Sequence, residues 1–198
     1  GFVGKNQRRK MQPYLVRGFA RFAKGKNDVT LLLHTDVESG AGWSMPCLIS
    51  KFEHEIDSEL EKPKAKIVFT TTNLDVLARQ KISPENMNEI YNLMDIFCYA
   101  VGGEGYGLPG IECQSAGVPL LMTDYSSAIE IVCEEDLKIP VLKDIHGRYV
   151  TEIGTNGVEN AHPDDIAITE LLEKMYKEWK EGKLKLRGEK ARKFALKY

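Results

Sequence analysis

Two short stretches carry side chains whose types and spacing could do chemistry. Residues 102 to 112 read GGEGYGLPGIE, and residues 4 to 10 read GKNQRRK. In the first, Glu104 and Glu112 bracket Gly105, Gly107 and Gly110, which have the spacing G-x-G-x-x-G. Ionised carboxylates are acceptor-only groups that suit the vicinal hydroxyls of a sugar or a ribose, and glycines let a ligand approach the backbone closely. In the second, Lys5, Arg8, Arg9 and Lys10 gather positive charge on one short segment. The glycine pattern, with Asp124 about 20 residues further on, also matches a dinucleotide-binding turn. Electrostatics argues against that match. A pyrophosphate over the glycines would meet Glu104 immediately before them and Glu112 in the helix after them, while the cations sit on another loop. A dinucleotide fingerprint also belongs at the first βα turn, and this one follows a fourth predicted strand. Cations that hold a diphosphate, facing carboxylates that take hydroxyls, describe a sugar nucleotide.

The elements that must position these residues alternate between apolar runs of strand length and segments of helical period, the pattern of a parallel sheet covered by helices. Strands are predicted at GFVG (1–4), DVTLLLH (28–34), AKIVFTT (65–71), DIFCYAV (95–101), GVPLLMT (117–123) and, shorter, LKIPVL (137–142). Met11, Leu15, Phe19 and Phe22 recur at helical spacing after the first strand, and another helix begins near Ser44. Residues 73 to 82 read as a loop, followed by a helix with Ser83 as N-cap, Pro84 at its first position and Glu85 in its first turn. His162-Pro163-Asp164-Asp165 opens a long helix that buries Ile166, Ile168, Leu171, Leu172, Met175 and Tyr176, and a helix rich in Lys and Arg closes the chain. The expected fold is a Rossmann-like three-layer α/β/α domain with a mainly parallel sheet. The basic segment then lies at a strand-to-helix crossover, where ligands of open α/β sheets collect and a helix N-terminus offers free N–H groups. A solvated basic turn is the other reading of the same residues.

Composition sets the bounds. With 28% charged and 42% hydrophobic residues over 198 positions, and a formal net charge of -2, the chain is an ordinary globular protein with no global attraction to nucleic acid. No apolar run approaches the roughly 20 residues that span a membrane, and residues 1 to 10 do not form a signal peptide, so a cytoplasmic setting is expected. Cys47, Cys98, Cys113 and Cys133 form no C-x-x-C pair and are expected to be buried thiols. His34, His54, His146 and His162 lack ligand spacing and no D-x-D occurs, so no metal is expected. The abrupt start on a strand reads as the beginning of a fragment.

From Glu104 to Glu112 the sequence resembles the retaining glycosyltransferases of the two-Rossmann-domain architecture called GT-B, in the group usually numbered family 4. Their hallmark is Glu, seven residues, Glu, here EGYGLPGIE, continued by CQSAGVPLLMTDYSSAIE, in which Glu130 falls at a recurrent family position. NEIYNLMDIFCYA resembles the stretch before that motif. FVGKNQRRK resembles the opening of the family's second domain, with Lys5 where an arginine is usual. The resemblance implies that residues 1–198 are one donor-binding domain, the C-terminal half of a GT-B enzyme, whose helices from 163 to 198 pack on it or on an N-terminal acceptor domain outside the chain. It implies a donor site of Gly4, Lys5, Lys10, Gly105, Tyr106, Gly107, Leu108, Pro109 and Glu112. In that site Lys5 and Lys10 bind diphosphate, the N–H groups of 105 to 108 cradle phosphate and sugar, and Glu112 holds the ribose. Glu104 is the catalytic-site residue at the transferred sugar, and Asp124 becomes a turn residue. The substrate implied is a nucleotide sugar, GDP-mannose ahead of a UDP-sugar, and the acceptor a glycan or a lipid- or protein-linked hydroxyl, without cofactor or metal. A noncatalytic sugar-nucleotide-binding domain, an epimerase or phosphorylase of the same architecture, and a nicotinamide-dependent oxidoreductase are the alternatives. The basic tail from Lys174 to Tyr198 is read as a solvated or packed helix face ahead of a membrane contact.

Overall fold

The computed structural model describes residues 1–40, 42–56, 66–70, 82–154 and 157–198, with the backbone alone for 53–56. Three parallel strands run in the order β1 (Phe2–Val3), β2 (Thr30–His34), β3 (Lys66–Phe69), and three more in the order β4 (Phe97–Tyr99), β5 (Leu120–Thr123), β6 (Lys138–Ile139). The two halves meet where the Cys98 N–H donates to the Gly1 carbonyl at 2.9 Å and the Gly1 nitrogen donates to the Ile96 carbonyl at 2.5 Å. The strands therefore lie in the order β3-β2-β1-β4-β5-β6, a doubly wound sheet whose direction of progression reverses between β1 and β4. Every residue of β4 and β5 is buried, as their uninterrupted apolar runs require of central parallel strands.

Local chemistry sets the helix ends. Helix α1 (Gln12–Ala23) has a proline in its first turn and buries Leu15, Phe19 and Phe22 against the sheet. Helix α2 spans Met45–Ile56. The Ser83 hydroxyl caps α3 (Pro84–Asn92) by accepting from the Asn86 N–H at 3.3 Å. Two short helices follow, α4 (Leu108–Ser115) and α5 (Ala128–Ile131). The Asp164 carboxylate opens α6 (Asp165–Lys180) by accepting from the N–H groups of Ile166 and Ala167 at 2.9 and 3.1 Å. Helix α6 packs along α1, and the last helix, α7 (Leu184–Ala195), packs on α4. The α7 contact is close enough that a Cβ at Gly188 would lie 2.2 Å from the Gly117 carbonyl oxygen. The C-terminal helices thus pack on this domain's own core.

Several sequence expectations need correction. Ile166 is 59% exposed, on the solvent side of a first turn whose Asp165 and Ile168 are buried, and Leu172 and Met175 continue the buried face. Cys98 and Cys113 are buried, and burial pushes the Cys98 thiol up to about 12, but Cys47 is exposed on α2. An antiparallel hairpin, β7 (Thr151–Ile153) and β8 (Glu159–Ala161), was not expected, since strands of three residues with glutamates on both give no readable alternation. The expected loop at 73–82 lies, except for Ile82, outside the described residues.

One ion cluster ties the C-terminal helices to the rest. The Arg187 guanidinium, 14% exposed, donates to Glu178 at 2.5 Å, to Glu134 at 3.1 Å and to Asp136 at 3.0 Å. Arg187 is also the main reason the Asp136 carboxyl is lowered to about 2. A depressed carboxyl stabilises the fold above its unfolded value and ceases to do so as pH falls through the folded one. We expect Arg187→Met to lower stability by about 1–3 kcal/mol in urea melts near neutral pH, the range for charged hydrogen bonds left unmade. The gap from the parent protein should narrow as pH drops from about 4 to about 2. A gap that stays constant over that interval would rule out this account.

Candidate functional site

The loops that leave β1 and β4 stand side by side, because those strands are neighbours at the reversal point. After β1 the chain makes a single 3-10 turn over Arg8–Lys10, and then Met11 takes φ 49° as the N-cap of α1. After β4 the glycine loop ends at Gly107, whose φ of 85° makes it the N-cap of α4. The Gly102 N–H donates to the Arg9 carbonyl at 2.7 Å and stitches the loops together. The crevice above them lies at the carboxyl ends of the strands, where open α/β sheets hold their ligands.

Within this crevice Lys10 and Glu104 meet. The Lys10 side chain is 6% exposed and that of Glu104 10%, and Nζ donates to Glu104 Oε1 at 2.5 Å. Nζ also donates to the Tyr99 hydroxyl and lies 4.7 Å from the centre of that ring. Arg9 adds a bond of 2.5 Å to the same Oε1 and one of 3.1 Å to the Gly103 carbonyl, while the Tyr99 hydroxyl donates to Oε1 at 3.2 Å. A charge taken from water needs a partner, and each ion here supplies one for the other. Burial lowers the Lys10 ammonium below its ordinary value, opposed by the hydrogen bond to Glu104. Burial likewise raises the Tyr99 hydroxyl, and the adjacent Glu104 charge raises it further. Ser126, on the loop after β5, braces the backbone: its Oγ accepts from the Glu104 N–H at 2.9 Å and donates to the Glu104 carbonyl at 2.8 Å. Ser126 holds φ 53° to do so, a left-handed conformation that costs a non-glycine residue about 1–3 kcal/mol.

Not every expected residue joins this pair. Glu112 is exposed on α4 and accepts from the Tyr91 hydroxyl at 2.7 Å, so it is oriented rather than free. Burial, followed by Glu112, raises the Tyr91 hydroxyl far above its ordinary value. Lys5 is exposed and forms no ion pair among the described residues, so it is not drawn toward Glu104 as Lys10 is. Gly4 lies under Lys10, where an added Cβ would come 3.7 Å from Cε and 3.3 Å from the Phe2 ring. Tyr106 and Leu108 are 44% and 60% exposed on the rim, so neither is packed in the core, and Pro109 opens α4. Among the described residues the N–H groups of 105 to 108 donate to no backbone carbonyl. The sequence reading took Arg9 only as one member of the basic cluster and missed Tyr99, Tyr91 and Ser126 as site residues. A hydroxyl inside the apolar run DIFCYAV signals Tyr99, since a buried tyrosine seeks a partner for its O–H, but nothing in the sequence signals a left-handed serine.

A cavity of about 450 Å³ lies elsewhere, at the amino ends of the strands, lined by Leu15, Phe19, Thr30, Met94, Leu172 and Tyr176. It shares no residue with the crevice. Among the described residues no three His, Cys, Asp or Glu side chains gather as a metal site, and no helix is long and apolar enough to cross a membrane.

Comparison with known proteins bears on this geometry. Residues 1–193 match the family described as glycosyl transferases group 1. The chain belongs to that family. Among solved structures, this glycosyl transferase domain resembles the catalytic domain of cholesterol-alpha-glucosyltransferase from Helicobacter pylori, with TM-score 0.63 and 17% identity over 99% of this chain and 95% of that one. It resembles equally the C-terminal domain of the glycosyl transferase group 1 protein LpcC from Francisella tularensis, with TM-score 0.63 and 13% identity over 100% and 83%. The pneumococcal O-GlcNAc transferase GtfA, solved with UDP and GlcNAc, gives TM-score 0.53 and 14% identity over all of this chain and 32% of that one. A search of curated proteins gives no match. These likenesses establish the GT-B domain fold.

The glycines of this glycosyl transferase loop differ in what they do. A Cβ at Gly107 would lie 2.9 Å from Ile131 Cδ1 on a backbone with φ 85°, whereas a Cβ at Gly105 would meet nothing within 4 Å. Gly107→Ala should therefore lower stability by about 1–3 kcal/mol, from left-handed strain together with the Ile131 contact. Gly105→Ala should leave the melting temperature unchanged and weaken any ligand seated on the loop. Equal melting temperatures for the two variants would show that the loop does not depend on its left-handed glycine.

Proposed function

We propose that this chain is the donor-binding domain of a retaining glycosyltransferase whose donor is a nucleoside-diphosphate sugar, with GDP-mannose favoured by the resemblance to family 4. The observation that carries the reading is the meeting of Lys10 and Glu104, from facing loops, at the reversal point of the sheet. One supplies a cation for phosphate and the other an acceptor for hydroxyls, which are the two halves of a sugar nucleotide. On this reading Lys10, with Lys5 at the mouth of the crevice, offsets the charge that develops on the leaving diphosphate, and no metal is required for that. The N–H groups of 105 to 108 lie against phosphate and sugar, and Glu112, held by Tyr91, takes the ribose diol. The acceptor hydroxyl comes from a second domain, so this chain binds donor without completing transfer.

A thermal-shift panel of GDP-mannose, GDP-fucose, UDP-glucose, UDP-GlcNAc and NAD tests the donor class, because a ligand that binds the folded state raises its melting temperature. We expect a nucleotide sugar to stabilise and NAD not to, and stabilisation by NAD alone would sink the proposal. Calorimetry then separates the two acids. Glu104→Gln should weaken the sugar nucleotide relative to its own nucleoside diphosphate by about five- to a hundredfold, the equivalent of about 1–3 kcal/mol for a lost charged hydrogen bond. Glu112→Ala should weaken both ligands alike. Two acids with only structural roles would lower the melting temperature without altering the ratio between ligands.

A further inference from the structure

The proposed donor site contains a competition. A diphosphate needs N–H donors, and in the structure two cations direct theirs to one carboxylate oxygen, Glu104 Oε1, at 2.5 Å each. They are not equally committed. Lys10 is buried, with the Tyr99 hydroxyl and ring holding it from below. The Arg9 side chain is 37% exposed and, apart from Glu104, donates only to the Gly103 carbonyl among the described residues. Of the two cations Arg9 alone keeps much of its side chain in water, so it gives up less than Lys10 in leaving Glu104, and a phosphate offers a guanidinium two parallel hydrogen bonds in fork geometry. Arg9 also sits at the lip of the crevice, its backbone fixed by the Gly102 N–H, so the side chain can swing while its anchor stays put.

Resting on the donor reading above, we infer that Arg9 is a further ligand of the donor diphosphate and that it is handed over from Glu104. Glu104 and the diphosphate compete for the guanidinium. Once Arg9 has turned to phosphate, the Glu104 oxygen it occupied accepts a hydroxyl of the transferred sugar, so each half of the donor prepares the site for the other. Such coupling is reciprocal by linkage: what diphosphate does for sugar, sugar does for diphosphate. A nucleoside diphosphate without its sugar must take Arg9 from Glu104 and leave the carboxylate without a hydroxyl in exchange.

The sign of one effect tests this. Calorimetry with GDP, UDP, GDP-mannose and UDP-glucose would compare the parent chain with Arg9→Gln, Glu104→Gln and the double variant, with melting temperatures recorded to confirm folding. Arg9→Gln should weaken the nucleoside diphosphate about tenfold or more, as expected for a lost charged hydrogen bond, with partial recovery in Arg9→Lys. Glu104→Gln should tighten the nucleoside diphosphate about threefold or more while weakening the nucleotide sugar, because the competitor is gone. With Arg9→Gln already present, that gain should shrink to less than about twofold. An unchanged or weakened nucleoside diphosphate in Glu104→Gln would overturn the handover and leave the donor reading standing. So would a gain that persists in full without Arg9, which would indicate general charge repulsion. If none of the four ligands binds the parent chain, the donor reading fails and takes this inference with it.

Discussion

The hydrogen bond from the Cys98 N–H to the Gly1 carbonyl, with its companion from Gly1 to Ile96, sets β4 beside β1, and the rest of the site follows from that seam. Neighbouring strands are about 4.8 Å apart, so the loops leaving them emerge within side-chain reach of each other. Were β4 to lie one or two strands further out, Lys10 and Glu104 could not touch. The burial of β4 and β5 holds the seam closed, since their apolar residues have no stable place but the middle of the sheet.

Stability and chemistry share groups in this crevice. Lys10 and Glu104 are both largely withdrawn from water, and removing one member of such a pair leaves the other as an uncompensated charge, typically at about 3–5 kcal/mol. Tyr99 softens the arrangement by offering Lys10 a neutral partner beneath the ion pair. The strained Ser126 works in the same direction, since its hydroxyl occupies both backbone groups of Glu104 and keeps that residue from turning away. Glu104 is therefore held by the loop after β1, by Tyr99 of β4 and by the loop after β5, and Arg9 is the more exposed of its two cationic partners.

How much of this was legible in the sequence depends on how local the cause is. The alternation of elements, the cap at Ser83 and the helix start at Asp164-Asp165 are written in adjacent residues, and the structure has them where the sequence puts them. The glycine loop was legible as the turn between a strand and a helix, and it stands between β4 and α4. That Lys10 rather than Lys5 reaches Glu104 was not, because it depends on a strand order 94 residues in the making and on the 3-10 turn that rotates the basic segment. Arg9 was visible only as part of a charge cluster. The left-handed Met11 and Ser126 leave no trace in composition or periodicity, since neither residue type favours that backbone. The hairpin of β7 and β8 escaped for the opposite reason: its strands are too short to show a period.

The loop after β2 gives the crevice a third wall with a property of its own. Asn6 clamps it, donating to the carbonyls of Asp36 and Trp43 at 3.0 and 2.6 Å and accepting from the Trp43 N–H at 2.8 Å, and the Arg8 guanidinium lies 4.9 Å from the centre of the Trp43 ring. The chain has two tryptophans, and the other, Trp179, is on α6, stacked on Tyr176 at 5.9 Å beside the apolar cavity. One indole thus lies on the loop after β2, against Arg8 of the basic loop, and the other at the opposite end of the sheet. Because indole emission depends on immediate surroundings, the protein carries a built-in optical pair: substituting either tryptophan by phenylalanine leaves a single indole, whose emission, excited to the red of tyrosine absorption, reports on one end of the sheet alone.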